Sequence, residues 1–375
     1  VAHAWSDALL GAFARAVRSW QRDRGIVDDA PVSVLIEGHG RYEDVLESGS
    51  NPARADLSRT VGWFTSIAPL SLDPGADIVH AVKAAKEERL GQPDSGIGFG
   101  WLRYGPHADS ELATRPLPSV VFNYLGASAG GSGSDAEPLA FGGAAGPGLS
   151  PSPAGGMVAQ GALTINANVG TVAGQRRLGA SVTYPRGVFA EDDIRDLMDR
   201  WTTELGAVAA SVADGADPGL SPSDVPGTDI TQADLDLLAT RYPGADVWPL
   251  APLQRGLFFE SELASASDAA VDVYVAQGVV TVGAIDAHRL REAASRLLTT
   301  HRALRAGFVL TASGAAVSVV PADATLPWTE LDLADAADDV VAERISEIAQ
   351  QQRLVPFDLT APPLLRFVLI RHGGA

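Results

Sequence analysis

One apolar stretch of the sequence ends in residues that can do acid–base chemistry. The segment "VSVLIEGHGRYEDV" (32–45) predicts a buried strand that runs into Glu37, Gly38, His39, Gly40 and Arg41. A carboxylate at the end of a buried strand loses part of its hydration, which raises its pKa towards neutrality. Such a group can act as a base towards a Cα–H bond next to a thioester, provided that something stabilises the developing enolate. The pattern therefore makes Glu37 a candidate base.

A structural interpretation of the same segment stays open. Charged residues at strand ends commonly form ion pairs, so Glu37 could pair with Arg41 or Arg59 without any chemical role. The glycines on either side of His39 fit both interpretations, because glycine lets backbone or substrate approach closely. Residue types alone do not choose between an ion pair and a catalytic edge.

Hydrophobic periodicity predicts the elements that must position this cluster. A helix over 6–23, with Ser6 or Asp7 as a possible N-cap, precedes the strand. The next elements are a strand over 60–71 broken by Pro69, a helix over 75–90 starting near Asp77, a strand over 118–127, two strands of a hairpin or meander over 161–170 and 177–185, and a helix over 190–213. The later elements are a helix over 231–242, a strand over 272–282, a helix over 284–301, strands over 303–311 and 315–320, a helix near 334–353 and a strand over 363–371.

Composition narrows the class of protein. The chain has 375 residues with a formal net charge of −18, which disfavours a nucleic-acid partner. It has no cysteine, which excludes disulfides and thiolate metal sites and fits a cytoplasmic protein. No apolar run approaches the roughly 18 residues of a membrane helix, the start does not resemble a signal peptide, and no histidine or acidic cluster has metal-ligand spacing. We therefore expect no membrane, nucleic acid or metal.

Two segments change in composition and predict the domain organisation. Residues 126–156 are rich in Gly, Ser, Ala and Pro and predict a flexible loop. Residues 214–230 carry Pro, Gly, Asp and Ser without hydrophobic periodicity and predict a domain boundary.

Five short motifs, in order, resemble those of epimerization domains in nonribosomal peptide synthetases. They are "SDALLGAF" (6–13, similar to DxLLxA), "EGHGRYED" (EGHGRE), "SRTVGWFTSIAPLSL" (58–72, RTVGWFTxxYPV), "GIGFGWLRYG" (96–105, GxGYGxLRY) and "VVFNYLGA" (120–127, FNYLG). The resemblance covers residues 1–215. Tyr42 stands where the family usually has Glu and Ala68 where it usually has Tyr; neither departure touches Glu37.

The resemblance implies roles for particular residues. In that family the EGHGRE glutamate faces a histidine pair of an HHxxxDG motif across a channel between two lobes, and the two groups exchange the α-proton of an aminoacyl or peptidyl thioester. Glu37 would then be the acid/base. The substrate-binding candidates are His39, Arg41, Trp63, Asn123 and Tyr124. Among these, Asn123 and Tyr124 would line the pocket and hydrogen-bond the thioester oxygen.

The other candidates have alternative interpretations. His39 and Arg41 would orient Glu37 and its turn rather than react. Trp63 and Phe64 are a bulky pair that more often packs in a core than contacts a ligand. None of the seven histidines has a histidine neighbour, so the HHxxxDG motif is expected upstream of Val1.

The second half of the chain resembles the start of a condensation domain. "VWPLAPLQRGLFFES" (247–261) is similar to the opening motif, "LLTTHRALRAGFV" (297–309) to RHExLRTxF, and "VPFDLTAPPLLRFVLIR" (355–371) to the strand that leads into the condensation HHxxxDG. Arg302 and Arg305 could face the site, or could be exposed or paired.

Together these resemblances imply an α/β fold, an α+β two-layer sandwich of chloramphenicol-acetyltransferase-like lobes. The expected organisation is a C-terminal epimerization lobe over 1–215, a linker over 216–240 and a truncated N-terminal condensation lobe over 241–375. We expect a piece of a synthetase whose partners are peptidyl carrier domains and adjacent adenylation and condensation domains. No cofactor is expected on the chain itself, since the substrate arrives on the phosphopantetheine of a separate carrier domain.

Three functions fit these expectations. The parent protein could epimerise a carrier-bound residue and then condense the D-product. The chain could instead be a noncatalytic junction that holds neighbouring domains in register, or a decayed condensation-like domain. The intact Glu37, Trp63, Asn123 and Tyr124 argue against decay, and we expect an active parent and an inactive isolated chain.

Overall fold

The computed structural model describes residues 4–26, 29–43, 45, 56–106, 110–127, 161–172, 175–215, 217–265 and 274–373. The chain divides into two units, Val1–Ala216 and Asp217–Ala375, and the division falls within the segment 214–230. Residues 128–156 of the predicted flexible loop lie outside the described residues.

A mixed five-stranded sheet forms the centre of the first unit. Its strands are β1 (Val32–Gly38), β2 (Ser66–Leu72), β3 (Val120–Ala127), β4 (Leu163–Val172) and β5 (Gln175–Thr183), in the order β2-β1-β3-β4-β5. The two outer pairs are antiparallel, whereas β1, β3 and β4 run parallel. The predicted hairpin is confirmed as β4 and β5.

Strand β2 differs from its prediction in its start and at Pro69. Pro69 does not break β2, because it lies within the strand and faces Leu35 of β1 in register. β2 is an edge strand, so the N–H that proline lacks is not needed for a neighbour on the open side. The predicted strand over 60–71 therefore begins later, at Ser66, and continues to Leu72.

Three long helices cover one face of this sheet. They are α1 (Ala4–Asp23), α2 (Ile78–Leu90) and α5 (Glu191–Ala213); the short helices α3 (Phe99–Tyr104) and α4 (Ser110–Thr114) follow a 3₁₀ turn at Pro93–Gly96. The predicted cap of α2 is confirmed, since the Asp77 Oδ1 accepts from the His80 N–H at 2.9 Å. The three long helices α1, α2 and α5 contact one another, and their apolar residues share one buried core with the sheet.

An aromatic triad joins the helices to the sheet. Phe13 of α1, Phe122 of β3 and Trp201 of α5 are at most 3% exposed, and their ring centroids lie 5.8–5.9 Å apart. Trp201 stands edge-on to both phenylalanines, the arrangement that aromatic quadrupoles favour. The Trp201 indole N–H donates to the Leu9 carbonyl at 3.1 Å, which satisfies its polar atom in the core.

A buried ion pair and a glycine fix α1 against α2. Asp7 is 5% exposed and accepts two hydrogen bonds from the Arg89 guanidinium, at 2.7 and 3.0 Å. Asp7 is therefore not the cap of α1, which begins at Ala4. A Cβ on Gly11 would lie 2.8 Å from the backbone of Ala81, so only glycine allows this approach of the two helices.

The second unit contains two small sheets and four α-helices among its described residues. Its strands are β6 (Asp246–Pro249), β7 (Gly307–Leu310), β8 (Ala316–Val320), β9 (Trp328–Leu333) and β10 (Phe367–His372). Its helices are α6 (Gln232–Arg241), α7 (Pro252–Ser265), α8 (Ala287–Thr300) and α9 (Asp338–Leu354). Strands β6, β8 and β7 form an antiparallel sheet in that order, and β9 pairs with β10 in parallel.

Two segments of the second unit have a structure that differs from the one predicted from the sequence. Residues 217–240, predicted as linker, pack into this unit, because Val225, Ile230 and Leu235 are at most 4% exposed in its core. The strand predicted over 272–282 is absent from 274–282, the part that the structure describes; Val279 and Val280 there are 65% and 80% exposed. An apolar run makes a strand only where a neighbouring strand pairs with it.

The predicted α/β fold class is confirmed, with helices and sheets in both units. Among the described residues, no helix is long and apolar enough to cross a membrane.

The buried ion pair gives a stability prediction. We expect Arg89→Ala to lower the free energy of unfolding of the first unit by about 3 kcal/mol, because it leaves the Asp7 carboxylate buried and unpaired. Arg195→Ala is the control. Its partner Glu191 is 74% exposed, so we expect a change within about 0.5 kcal/mol. Chemical denaturation measures both, and equal effects would show that the buried pair contributes no more than a surface pair.

Candidate functional site

Strand pairing brings Glu37 together with Asn123. Strand β1 runs parallel to β3 with Ile36 opposite Phe122, so the next residues along the two strands are also neighbours. The Asn123 Nδ2 donates a hydrogen bond to the Glu37 Oε2 at 2.9 Å. Two motifs that lie 86 positions apart in the sequence therefore meet at one point of the sheet.

This point lies on the face of the sheet opposite the three long helices. Val34 and Phe122 point into the helix core, whereas the residues that alternate with them point the other way. We call this second side the site face and define it by Leu35, Glu37, Val121 and Asn123.

Glu37 has a neutral hydrogen-bond donor and no cationic partner among the described residues. Its side chain is half-buried, and burial raises the pKa of its carboxyl above the usual value. Among the described residues, Glu37 therefore forms no ion pair with Arg41 or Arg59. A half-buried carboxylate whose charge is not neutralised by a nearby cation has the properties of a general base.

Arg41 is bound to the loop that precedes β2. Its guanidinium donates to the carbonyls of Leu57 and Thr60 and lies 4.2 Å above the ring centroid of Phe64. These contacts give Arg41 a role in holding the loop from Leu57 to Phe64 against the end of β1.

His39 and Gly40 shape the turn that follows Glu37. The exposed His39 ring accepts a hydrogen bond at Nδ1 from the Arg41 N–H, at 3.0 Å, and lies 4.6 Å from the ring of Tyr42. Gly40 has a φ of 66°, and a Cβ there would lie 1.5 Å from the Phe64 carbonyl oxygen. The turn therefore requires glycine at this position, while His39 acts on the backbone of the turn.

The other two substrate-binding candidates do not join Glu37. Trp63 is 91% exposed in the loop before β2, so the expectation that it packs in a core is wrong. Tyr124 packs against the helix core, on the opposite side of the sheet from Asn123. Successive residues of a strand point to opposite faces, so Asn123 and Tyr124 cannot both line one pocket on the site face.

Asn166 is a site residue that the motifs did not indicate. In β4 it lies opposite Asn123, and its neighbours Ile165 and Ala167 are buried in the helix core. The site face therefore carries a row of Glu37, Asn123 and Asn166 on three adjacent strands, about 4.8 Å from one strand to the next. The alternation of apolar and polar residues in "LTINANVG" could have revealed it.

In the second unit, Arg302 and Arg305, the two candidates from the sequence, have structural partners. Arg305 is 6% exposed and donates to the carbonyls of Leu298 and Pro321, at 2.6 and 3.0 Å. Arg302 forms an ion pair with Asp246. Of the interpretations left open by the sequence, the structure favours the one in which these side chains are paired. Across the described parts of both units, no group of three His, Asp or Glu could hold a metal ion.

Comparison with known proteins shows the family of this chain. The model of the condensation domain matches residues 26–223 and 244–374. Chondramide synthase cmdD of Chondromyces crocatus is 30% identical over 98% of this chain and 10% of its own length. Bacitracin synthase 3 of Bacillus licheniformis is 30% identical over 90% of this chain and 5% of its own length. The chain thus spans a small part of these relatives.

Solved structures include two similar proteins. The epimerization domain from the third module of tyrocidine synthetase B is 31% identical over 56% of this chain and 43% of its own, with a TM-score of 0.41. PapA2 acyl transferase is 14% identical over 54% of this chain and 38% of its own, with a TM-score of 0.34. Since the family model matches most of the sequence in two stretches, the chain belongs to the condensation domain family.

Proposed function

We propose that the first unit is the C-terminal lobe of an epimerization domain and that Glu37 exchanges the α-proton of a carrier-bound aminoacyl or peptidyl thioester. The observation that carries this proposal is the hydrogen bond between Asn123 and Glu37, which joins two of the motifs that resemble epimerization domains. Both residues lie on the site face, away from the helix core.

The geometry supports different roles for Glu37 and Asn123. Asn123 holds the Oε2 of Glu37, and no described residue donates to the Oε1, which is left to accept the proton. As the Cα–H bond breaks, its electron pair moves into the thioester carbonyl to form an enolate, and the proton moves to Glu37. Asn123 is thus a positioning residue that fixes the orientation of the base.

Inversion needs a second acid that delivers a proton to the other side of the α-carbon. The seven histidines of this chain include no adjacent pair, so we propose that this acid is the HHxxxDG histidine of a lobe that this sequence does not contain. Glu37 then supplies one half of a two-lobe site.

We further propose that the second unit is the N-terminal lobe of a condensation domain that follows the epimerization domain. The two separate matches to one family model support a chain that carries parts of two such domains. The parent synthetase would convert the carrier-bound residue to its D-form and then form a peptide bond, with phosphopantetheine supplied by a carrier domain. Adenylation and carrier domains would be neighbours in the same synthetase.

A noncatalytic junction is the alternative. A noncatalytic junction would also require the contacts of Arg41 with its loop and the packing of residues 217–240 into the second unit. These contacts therefore do not distinguish it from the catalytic proposal. The unneutralised Glu37 favours the catalytic proposal, since a purely structural site gains nothing from a half-buried carboxylate without a cation.

The first test removes the carboxylate in the parent synthetase. We expect Glu37→Gln to reduce D-residue formation by about 10²–10⁴-fold, the contribution of a positioned general base. The Gln amide can still accept from Asn123, so the geometry is retained while the basicity is lost. Glu111→Gln, at a residue whose side chain is 82% exposed, is the control and should leave the rate unchanged. Chiral analysis of released aminoacyl groups measures both, and wild-type D-formation by Glu37→Gln would reduce Glu37 to a structural role.

The second test uses the chain by itself. With an L-leucyl-carrier thioester, we expect no D-leucine above that of buffer, because one base can return a proton only to the face it was taken from and the second acid is missing. Chiral chromatography of the hydrolysed amino acid gives the result. Formation of D-leucine by the chain alone would contradict the two-lobe proposal.

The raised pKa of Glu37 predicts a pH dependence of stability. A carboxyl whose folded-state pKa lies above its unfolded value favours folding when protonated, and this contribution is lost as pH rises through the folded-state pKa. Glu37→Gln removes this loss, so its stability relative to wild type should increase from pH 4 to pH 7. Denaturation curves at both values test this, with Glu111→Gln for comparison. A gain that is the same at both pH values would show that burial does not perturb Glu37.

A further inference from the structure

A cavity of about 540 Å³ opens on the site face beside Glu37. Its floor is Leu35 and Val121, which are 4% and 1% exposed. Its walls come from the segments on either side, chiefly Phe64, Ile67, Phe99 and Leu117. The volume is within the roughly 300–1,000 Å³ of small-molecule sites.

The position of the cavity relative to the carboxylate follows from strand geometry. Leu35 and Glu37 are two residues apart on one strand, about 7 Å along its axis, and point to the same face. Ile67 of β2 lies opposite Glu37 in register and also lines the cavity. The carboxylate therefore stands at the edge of the cavity, within the reach of one amino-acid side chain.

The chemistry of the lining is apolar. None of the described residues that line the cavity is Asp, Glu, Lys, Arg or His, and the polar groups among them are limited to Thr65, Ser66, Tyr104 and backbone. Arg41 reaches Phe64, where its guanidinium lies over the ring and fixes this part of the wall. A charged substituent in this space would lose hydration without gaining a partner, whereas an aliphatic or aromatic one would gain from burial.

We propose that this cavity binds the side chain of the residue whose α-proton is exchanged, and that it selects aliphatic or aromatic side chains over charged ones. The inference rests on the proposed role of Glu37, since it places the α-carbon at that carboxylate. A thioester bound there directs its Cα–H towards Glu37 and its side chain towards Leu35 and Val121.

Gly100 offers a way to narrow the cavity. It lines the cavity, and a Cβ added there meets no atom within 4 Å, so a larger side chain is added at this position without a clash at its Cβ. Gly98 is the matched control, because a Cβ there also meets no atom within 4 Å but the residue does not line the cavity.

The experiment measures α-proton exchange in the parent synthetase with phenylalanyl, alanyl and aspartyl groups on the carrier. For wild type we expect phenylalanyl to exchange faster than aspartyl. For Gly100→Leu we expect the phenylalanyl-to-alanyl ratio of kcat/KM to fall about tenfold or more, the size of steric discrimination in apolar pockets. Gly98→Leu should keep the wild-type ratio.

The outcomes separate this proposal from the proposed function. Exchange that depends on Glu37 but shows an unchanged ratio in Gly100→Leu would overturn the cavity proposal alone. Exchange that does not depend on Glu37 would overturn the proposed function as well. If Gly100→Leu lowers exchange of every substrate because it misfolds, Leu117→Arg decides, since Leu117 is 39% exposed at the rim. We expect that variant to raise aspartyl exchange relative to phenylalanyl, and no change in this ratio would reject the cavity.

Discussion

The parallel pairing of β1 with β3 is the interaction on which the site depends. It brings the Glu37 carboxylate within 2.9 Å of the Asn123 amide, although 86 positions separate them in the sequence. The register is held from the other side of the sheet, where Val34 and Phe122 pack into the core that contains Trp201. A slip of one residue would turn the whole strand over, expose the apolar set and bury the carboxylate. Core packing and site geometry are therefore consequences of the same register.

The buried carboxylate of Asp7 and the half-buried carboxylate of Glu37 have different partners in this fold. Asp7 receives a bidentate guanidinium from Arg89, the arrangement that best compensates for lost hydration. Glu37 receives one neutral amide, although Arg41 is only four residues away and uses its guanidinium on the loop before β2. The fold thus neutralises one carboxylate and leaves the other with a raised pKa, which is consistent with the proton transfer proposed for Glu37.

The residues of the EGHGRY segment have separate structural tasks. Gly40 allows the chain to pass the Phe64 carbonyl, His39 accepts from the backbone of the turn, and Arg41 holds the loop that follows. Phe64, which Arg41 covers, is also a wall of the cavity on the site face. The motif thus builds the surroundings of Glu37 as well as providing the carboxylate.

The sequence by itself determined the three long helices of the first unit, its strands, the candidate carboxylate and the family resemblance, because periodicity and short motifs are local properties. It also indicated a division of the chain near residue 216, where composition changes. It did not indicate the short helices α3 and α4.

Only the tertiary structure decided which side chains share a face. Tyr124 lies next to Asn123 in the motif but packs on the other side of the sheet, whereas the distant Asn166 lies opposite Asn123. The sequence also did not indicate that β2 continues through Pro69, because this depends on β2 being an edge strand. Nor did it indicate the cavity beside Glu37, because this depends on which segments cross the site face. The physical reason is that strand order and register are set by contacts between residues far apart in the chain, and no single segment records them.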